Sequence, residues 1–221
     1  MYQFSFKKSR RSNGDWKSVF TWGVIGLSLF LLGVNGVIYK VQYDKQFRIQ
    51  QQLAEKVLRF HVLANSNSEK DQALKICVRD AIGEYMQEQL EGEMDKEASK
   101  ERIAAHLVDI EAIAEEIVAQ EGCSYEVTAQ LTQCDFPVKT YGAYTFPAGE
   151  YEALQVVIGE GAGENWWCVL YPNMCFENSV YEVVDENAKE ALRKVLNQEE
   201  YEAVLSSGNY EIRFRFLEWF R

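Results

Sequence analysis

The sequence predicts an α+β fold: a single exported domain with a mixed or antiparallel sheet packed by helices, preceded by one N-terminal transmembrane helix. Short segments of period-two alternation, which is typical of strands, recur from Val57 onward. Between them, apolar residues at three- and four-residue spacing predict helices. The two patterns interleave irregularly, unlike the regular strand–helix succession of a parallel α/β fold. The 221 residues suffice for one compact domain with an appendage.

The first strand of the domain is predicted at Val57–Ala64 (VLRFHVLA). Leu58 and Phe60 alternate there with Arg59 and His61, so one face is apolar and the other polar. This is the pattern of a half-buried strand.

Two helices follow this strand. Ser68 with Asp71 three residues later resembles a capping box in which Asp replaces the usual Glu. The helix that begins there extends to about Leu90. A second helix is predicted over roughly Lys96–Gln120, with Gly122 at its C′ position.

The middle of the chain alternates strands with loops. Tyr125–Leu131 has the cleanest strand pattern, and Phe136–Tyr151 is predicted as a loop because it holds two prolines and two glycines. Strand-like Glu152–Ile158 and Trp166–Tyr171 flank the glycine-rich Gly159–Gly163, so we expect a β-hairpin there.

The C-terminal part begins with a helical pattern. Asp185–Leu205 is predicted as helix, broken near Asn197. Tyr210–Phe216 (YEIRFRF) alternates again and is predicted as a final strand.

The N-terminal region predicts the compartment of the domain. Residues 20–39 carry no charge and have about the length that spans a bilayer core of ~30 Å. Five basic residues and one acidic residue precede them, which places the N-terminus in the cytoplasm and the body outside it. The predicted organisation is a basic cytoplasmic tail at 1–19, a transmembrane anchor or signal segment at 20–39, a helical stalk at 40–56 and an exported domain at 57–221.

The apolar run has two interpretations. It has the right length for an anchor, whereas Val34-Asn35-Gly36 offers small residues that a signal peptidase could accept. The run is long for a signal, which favours an anchor or a slowly cleaved signal. The body is exported in either case.

The charge of the body argues against nucleic acid as a partner. Residues 40–221 hold 18 basic and 33 acidic side chains, a net charge of −15. Such a body repels phosphate backbones.

The glycine-rich loop Gly159–Gly163 resembles a phosphate-binding turn, but its context does not fit one. A phosphate cradle needs a helix N-terminus directly after it. Here a strand pattern follows, and Glu160 and Glu164 would repel phosphate. A flexible hairpin loop is the better interpretation.

The cysteines and histidines do not indicate a metal site, because no C-x-x-C pair exists and the chain has two histidines. Outside the cytoplasm, disulfides are allowed. Two pairs could form and would leave Cys77 as a free thiol in a helix core; buried free thiols throughout are an equal alternative. These pairs are Cys168 with Cys175 and Cys123 with Cys134.

No catalytic assembly has a local signature. Cys168 or Ser66 could be drawn together with His61, but composition cannot establish such an arrangement. The acids Glu150 and Glu152, with those of the glycine loop, indicate a solvated edge rather than an acid–base pair. We therefore predict no enzyme, no cofactor, no metal and no small-molecule substrate.

Trp166 and Trp167 are adjacent on a predicted strand, so their rings point to opposite faces of the sheet. One ring should belong to the core. The other should be covered by a helix or available to a partner.

Long stretches of distinctive residues resemble one family. They are RFHVLANSNSEKDQALKICVRDAI (Arg59–Ile82) and FPVKTYG…FPAGEYEALQVVIGEGAGENWWCVLYPNMCF (Phe136–Phe176), together with the membrane segment before them. In these stretches the chain closely resembles stage II sporulation protein R, and the resemblance covers essentially all of the exported body.

The resemblance implies an intercompartmental signal of endospore-forming bacteria. The family's protein is exported from the forespore into the intermembrane space, where it activates a mother-cell membrane protease of the aspartic type. That protease processes the precursor of a sporulation sigma factor. Many relatives are thought to be released, whereas the segment here fits an anchor at least as well. A competing hypothesis is an extracytoplasmic hydrolase acting on peptide or cell wall, using Cys168 or a glutamate.

For the activator, the expected contact region is formed by two aromatic loops, Phe136–Tyr151 and Gly159–Trp167, together with Arg59 and His61 of the first strand. The predicted partner-binding residues are Arg59, His61, Lys139, Tyr141, Tyr144, Phe146, Tyr151, Glu160, Asn165, Trp166 and Trp167.

Overall fold

The computed structural model describes residues 14–90, 95–172, 174 and 186–206. The chain forms two compact units, residues 1–47 and residues 48–221. The second unit is α+β, with helices packed on a mixed four-stranded sheet, which confirms the predicted fold class. The predicted strand Tyr210–Phe216 lies outside the described residues.

The helices and strands follow one another in an irregular order. They are α1 (Gly14–Lys56), β1 (Leu58–Leu63), α2 (Glu69–Gln89), α3 (Lys96–Ala105), α4 (Leu107–Gln120), β2 (Val127–Phe136), β3 (Lys139–Tyr141), β4 (Tyr144–Phe146), β5 (Gly149–Ile158), β6 (Asn165–Tyr171), α5 (Glu186–Val195) and α6 (Gln198–Ser206).

The apolar N-terminal run lies within α1. From Ser18 onward this helix is long and apolar enough to cross a membrane, with a mean hydropathy of 1.8. Its large apolar side chains up to Phe47 are exposed, as expected of a helix that faces lipid. A signal sequence near an N-terminus has the same length and composition, so both interpretations of the run remain.

The last turns of α1 belong to the core of the second unit. Ile49 and Leu53 are buried there, and the Gln50 side chain donates a hydrogen bond to the Glu150 carbonyl at 3.0 Å. The compact unit therefore begins at Arg48, inside the segment 40–56 predicted as a stalk.

The four-stranded sheet has the order β2-β5-β1-β6. β1 pairs in parallel with β5 and antiparallel with β6, while β2 and β5 are antiparallel. The prediction that β5 and β6 form a hairpin is therefore wrong, because β1 lies between them. The glycine loop crosses the end of β1 instead of closing a hairpin.

β1 is buried on both faces. Arg59 is 0% exposed and His61 3% exposed, although the sequence predicts a half-buried strand with these two residues on its polar face. The prediction is wrong because β1 is an interior strand and further elements cover its second face. Alternation alone cannot distinguish a solvated polar face from a buried one.

The predicted cap of α2 is confirmed. The Asp71 backbone N–H donates to Ser68 Oγ at 3.1 Å. In a capping box the carboxylate would accept a hydrogen bond from the backbone N–H of the cap residue. The Asp71 carboxylate does not do so. It accepts hydrogen bonds from Ser66 Oγ at 2.6 Å and Asn65 Nδ2 at 2.9 Å, which fixes the turn between β1 and α2.

The helix predicted over Lys96–Gln120 is divided into α3 and α4 at His106, where the backbone leaves the helical region (φ −111°, ψ 12°). No proline or glycine marks this break in the sequence. The His106 ring contacts Tyr85 Oη at 2.7 Å and Asp109 Oδ2 at 2.8 Å, so tertiary contacts accompany the break and local propensity does not predict it.

The C-terminus of α4 is closed as the sequence predicts. Gly122 has φ +69° and donates its N–H to the Ala119 carbonyl at 3.0 Å. The Cys123 N–H donates to the Val118 carbonyl at 3.0 Å, which completes a Schellman motif.

The break between α5 and α6 is also confirmed, and a reciprocal cap explains it. The Glu200 N–H donates to Asn197 Oδ1 at 2.9 Å, and the Asn197 N–H donates to Glu200 Oε2 at 2.8 Å. Lys56 Nζ also pairs with Glu200 Oε2 at 2.6 Å, which ties the end of α1 to α6.

The aromatic segment Phe136–Tyr151 is not the predicted loop. Its first residue ends β2 and its last residues begin β5, while β3 and β4 form a small hairpin between them. Gly142 takes φ +55° in the two-residue turn of this hairpin. The side chains of β4 are all buried, so β4 forms core rather than a free surface.

Candidate functional site

The glycine loop binds the turn that follows β1. Three of its backbone N–H groups, and that of Glu164 after it, donate to acceptors within residues 64–67 at 2.7–3.1 Å. The N–H groups of Gly159 and Gly161 donate to the Glu126 and Ile158 carbonyls, so none of them is directed toward a ligand. This arrangement supports the interpretation that the loop is not a phosphate cradle. The bonds to residues 64–67 are Glu160 to Asn65 Oδ1, Ala162 to Asn65 O, Gly163 to Ala64 O and Glu164 to Asn67 Oδ1.

Arg59 lies in an aromatic box on the second face of β1, the face opposite Phe60. We define the aromatic box as Phe136, Tyr141, Phe146 and Tyr151, whose ring centroids lie 4.4, 5.9, 5.3 and 5.1 Å from Arg59 Cζ. Cations lie favourably against such rings. Arg59 Nε donates to the Cys168 carbonyl at 2.9 Å and Nη2 to Tyr141 Oη at 3.1 Å.

Burial changes the titration of the groups in this box. Desolvation lowers the pKa of Arg59, while Tyr141 and Tyr151 oppose the change. Desolvation also raises the pKa of Tyr151 to about 12, against the effect of the Arg59 charge. Since guanidinium keeps its proton in proteins, the box holds a buried cation beside neutral phenols.

His61 lies next to Arg59 along the same face. Its ring stacks on Trp167 with centroids 4.9 Å apart and lies 5.3 Å from the Phe136 ring. Neither ring nitrogen has a hydrogen-bond partner in the part of the chain that the structure describes. Burial first, and then the charge of Arg59, lower the pKa of His61 to about 4, so the ring is neutral at pH 7.

This lowered pKa predicts an acid-dependent loss of stability. The pKa of His61 is about 6.5 in the unfolded chain and about 4 in the folded one. The contribution of neutral His61 to stability is therefore complete above pH 6.5 and is lost as the pH falls toward 4. At about pH 4.5, His61 is protonated mainly in the unfolded state. We expect this to lower the free energy of unfolding by about 2.5 kcal/mol. Urea unfolding of the wild-type chain and of His61→Phe, in detergent micelles at several pH values, measures it. If the free energy of unfolding falls equally for the two proteins between pH 7 and 4.5, the lowered pKa of His61 is wrong.

Lys139 and Trp167 form the border of this cluster. Both are half-buried, and Lys139 Nζ lies 6.0 Å from the Trp167 ring centroid. Burial, and then the charge of Arg59, lower the pKa of Lys139. Lys139 forms no ion pair within the part of the chain that the structure describes.

Beyond Arg59, the second face of the sheet is not fully covered. We define the open sheet face as two rows of side chains that strand register places side by side. Their members range from exposed to half-buried, apart from His61, which is buried. The first row is Gln130, Gln155, His61 and Trp167, and the second row is Thr128, Val157, Leu63 and Asn165.

The glycine loop borders the second row. A Cβ placed on Gly161 would lie 2.6 Å from Val157 Cγ1 and 3.7 Å from Leu63 Cδ2. Gly161 also has φ +58°, a conformation that favours glycine. The loop thus lies at the edge of the open sheet face, which its sequence pattern does not reveal.

The structure brings seven of the eleven predicted partner-binding residues into one cluster, on the second face of the sheet. These seven are Arg59, His61, Lys139, Tyr141, Phe146, Tyr151 and Trp167. Phe136 joins the aromatic box and the His61–Trp167 pair, yet it is absent from the predicted set. Its position at the end of β2 gives no signal of this role in the sequence.

The other four predicted residues are dispersed. Tyr144 bonds through its hydroxyl to Tyr201 Oη at 2.7 Å, and Trp166 packs edge-on against Phe60 on the opposite face, as predicted for adjacent tryptophans. Glu160 is exposed in the glycine loop, and Asn165 is half-buried at the start of β6.

Burial limits which of the eleven can contact a partner directly. Seven have at most 9% of their surface exposed, so their side chains shape the surface from below. Direct contact stays a prediction for the others, which are Lys139, Glu160, Asn165 and Trp167. The buried seven are Arg59, His61, Tyr141, Tyr144, Phe146, Tyr151 and Trp166.

The cysteines differ from part of the prediction. Cys168 is disulfide-bonded, and its predicted partner Cys175 lies outside the described residues. Cys123 and Cys134 are free thiols, so the second predicted pair is not formed. Cys77 is free but exposed, not buried in a helix core, because it lies on the outer side of α2.

Among the described residues, Cys168 does not lie beside His61 as the cysteine version of the hydrolase would require. Cys168 pairs with Phe60 in the sheet register and therefore faces away from His61. Ser66 Oγ donates to the Asp71 carboxylate, which has its pKa lowered by this bond and that of Asn65. Among the described residues, no three His, Cys, Asp or Glu side chains come together as a metal site would require.

Comparison with known proteins identifies the family. A family model described as Stage II sporulation protein R matches residues 54–181, which include the whole four-stranded sheet. Stage II sporulation protein R of Bacillus subtilis (strain 168) is 31% identical over 215 residues, covering 89% of this chain and 95% of that protein. No solved structure matches the chain. By the extent of these two matches, the chain belongs to the stage II sporulation protein R family.

Proposed function

We propose that this protein is an intercompartmental sporulation signal. It is exported from the forespore and activates a mother-cell membrane protease of the aspartic type, which then processes the precursor of a sporulation sigma factor. The observation that carries the proposal is the extent of the family match, which covers 89% of the chain.

In the proposed topology the N-terminus is cytoplasmic and the body lies in the intermembrane space. The helix that is long and apolar enough to span a membrane supports this arrangement. The basic tail before it supports the same orientation. Release by cleavage near Gly36 is the alternative to a permanent tether.

Activation is proposed to act by population shift. A ligand activates an enzyme only to the extent that it binds the active state better than the inactive one. The exported body is proposed to bind the outer face of the protease and to stabilise its active, self-associated arrangement. The packed, cross-linked body suits this role, since a preordered surface loses little conformational entropy on binding.

Reconstitution in a host that does not sporulate tests the proposal. The full chain is co-produced with the candidate protease and the sigma-factor precursor, and the processed fraction is measured by immunoblot. We expect processing only when the chain is present. Processing without the chain would sink the activator hypothesis, as would unprocessed precursor when all three proteins are made.

A second arm addresses the tether. Residues 41–221 are placed behind a cleavable export signal and compared with the full chain in the same host. Equal processing means that membrane attachment of this chain is dispensable. Loss of processing with normal export means that the tether contributes to the signal.

A further inference from the structure

Buried polar atoms on the open sheet face and beside it have no hydrogen-bond partner among the described residues. They are His61 Nδ1 and Nε2 and Asn165 Oδ1 on the face, and Arg59 Nη1 beside it in the aromatic box. Buried polar atoms are almost always paired, so their concentration on one face points to a group that binds there. Tyr141 Oη, which accepts from Arg59 Nη2 at 3.1 Å, itself donates to the Trp167 carbonyl at 3.0 Å.

The two rows of the face differ in charge from the acidic body, although Glu160 and Glu164 of the bordering loop are exposed and acidic. Neither row contains an aspartate or glutamate, and Arg59 and Lys139 lie beside them. Burial first, and then the charge of Arg59, lower the pKa of both His61 and Lys139, because both side chains lie near the guanidinium. The body as a whole has a net charge of −15, so this region is a local exception.

The border of the face offers a specific pairing geometry. Lys139 Nζ lies 6.0 Å from the Trp167 ring centroid, and both side chains are partly exposed. Asn165 Oδ1 needs a donor, which a backbone N–H of an extended segment supplies. The Gln130 amide donates to Gln155 Oε1 at 2.7 Å, so the neighbouring strands offer further polar contacts at this surface.

We propose that the open sheet face is a docking surface for an acidic segment of the protein partner. An Asp or Glu side chain of that segment pairs with Lys139 above Trp167, and its backbone donates to Asn165. The inference rests on the proposed function, because it specifies how the membrane protease recognises the body. From below, the Arg59 charge keeps the potential positive, and the neutral His61 ring holds the Trp167 ring in place by stacking on it.

Charge substitutions at Lys139 test the docking surface. The full chain and its variants are purified in detergent, and their affinity for the purified protease is measured together with precursor processing. We expect Lys139→Glu to weaken binding by about tenfold or more and Lys139→Arg to retain it. Lys139→Gln, which only removes the charge, should fall between them. Arg102→Glu on exposed α3 is the matched control and should change affinity by less than about twofold.

A second probe does not depend on the protease. A short peptide of alternating Glu and Thr is titrated against the full chain and followed by tryptophan fluorescence, with a Lys–Thr peptide for comparison. We expect the acidic peptide alone to bind, and Lys139→Glu to abolish its binding. Urea unfolding of each variant establishes that the fold is intact.

The outcomes separate this inference from the proposed function. If the wild type activates the protease and Lys139→Glu does so equally, the docking surface is wrong and the activator hypothesis stands. If the wild type neither binds nor activates the protease while the acidic peptide binds through Lys139, the proposed function fails and the acidic specificity of the face stands. If the acidic peptide does not bind, or if it binds the wild type and Lys139→Glu equally, the docking surface is wrong.

Discussion

Gly163→Ala should destabilise the protein by about 3 kcal/mol or more, the largest effect expected of a single methyl group in this chain. A Cβ on Gly163 would lie 2.6 Å from the Ser66 carbonyl carbon, closer still to its oxygen, and 2.9 Å from Ala64 Cβ. Backbone cannot move aside as a flexible side chain can. The glycine loop would therefore separate from the turn after β1 and lose the bond from Gly163 N–H to the Ala64 carbonyl.

Gly122→Ala is the matched control for this prediction. Gly122 has φ +69° but nothing within 4 Å of the added Cβ, so it should cost only about 1 kcal/mol of left-handed strain. Urea unfolding of the full chain in detergent micelles gives both values. If Gly163→Ala costs no more than Gly122→Ala, the close approach of the two backbone segments is not what requires glycine at 163.

The elements that local rules determine are those that the sequence predicts well. The cap at Ser68, the Schellman glycine Gly122 and the break near Asn197 each depend on residues within a few positions of one another. By contrast, the break at His106 accompanies contacts with Tyr85, which is distant in sequence. Local propensity cannot anticipate such a contact.

Strand order accounts for the other differences. Two strands separated by a short glycine-rich loop indicate a hairpin, yet the preceding β1 inserts between β5 and β6. The sequence does not reveal this because periodicity identifies faces and not neighbours. The burial of Arg59 and His61 follows from the same insertion, since it makes β1 an interior strand.

The candidate site is recoverable from the sequence only in part. Aromatic density draws attention to Tyr141, Phe146 and Trp167, which the structure brings together. Whether an aromatic ring faces a partner or encloses a buried arginine depends on which face of the four-stranded sheet β3 and β4 cover. That is a property of the tertiary structure, which the sequence pattern does not contain. Phe136 was not among the predicted residues for this reason, although its ring lies 4.4 Å from Arg59 Cζ.

Arg59→Ala is the second substitution for which we expect a large effect, about 4 kcal/mol of lost stability. It removes the largest fully buried side chain of the described residues and two hydrogen bonds from a charged donor, each contributing about 1.5–3 kcal/mol. It also leaves a cavity lined by the aromatic box, which a packed core cannot fill by relaxation alone. Urea unfolding under the conditions used for Gly163→Ala measures the loss.

Arg59→Lys and Arg59→Met distinguish the shape of the guanidinium from its charge. The lysine ammonium keeps the charge but lacks the planar fork that reaches both the Cys168 carbonyl and Tyr141 Oη, and it is more strongly hydrated. Methionine fills the volume without a buried charge, and Tyr141 Oη keeps its bond to the Trp167 carbonyl. We therefore expect the wild type to be the most stable, Arg59→Met to be less stable and Arg59→Lys to be the least stable. If Arg59→Lys is as stable as the wild type, the aromatic box requires only a positive charge. The stability lost in Arg59→Ala would then come from the missing charge and not from the missing planar guanidinium.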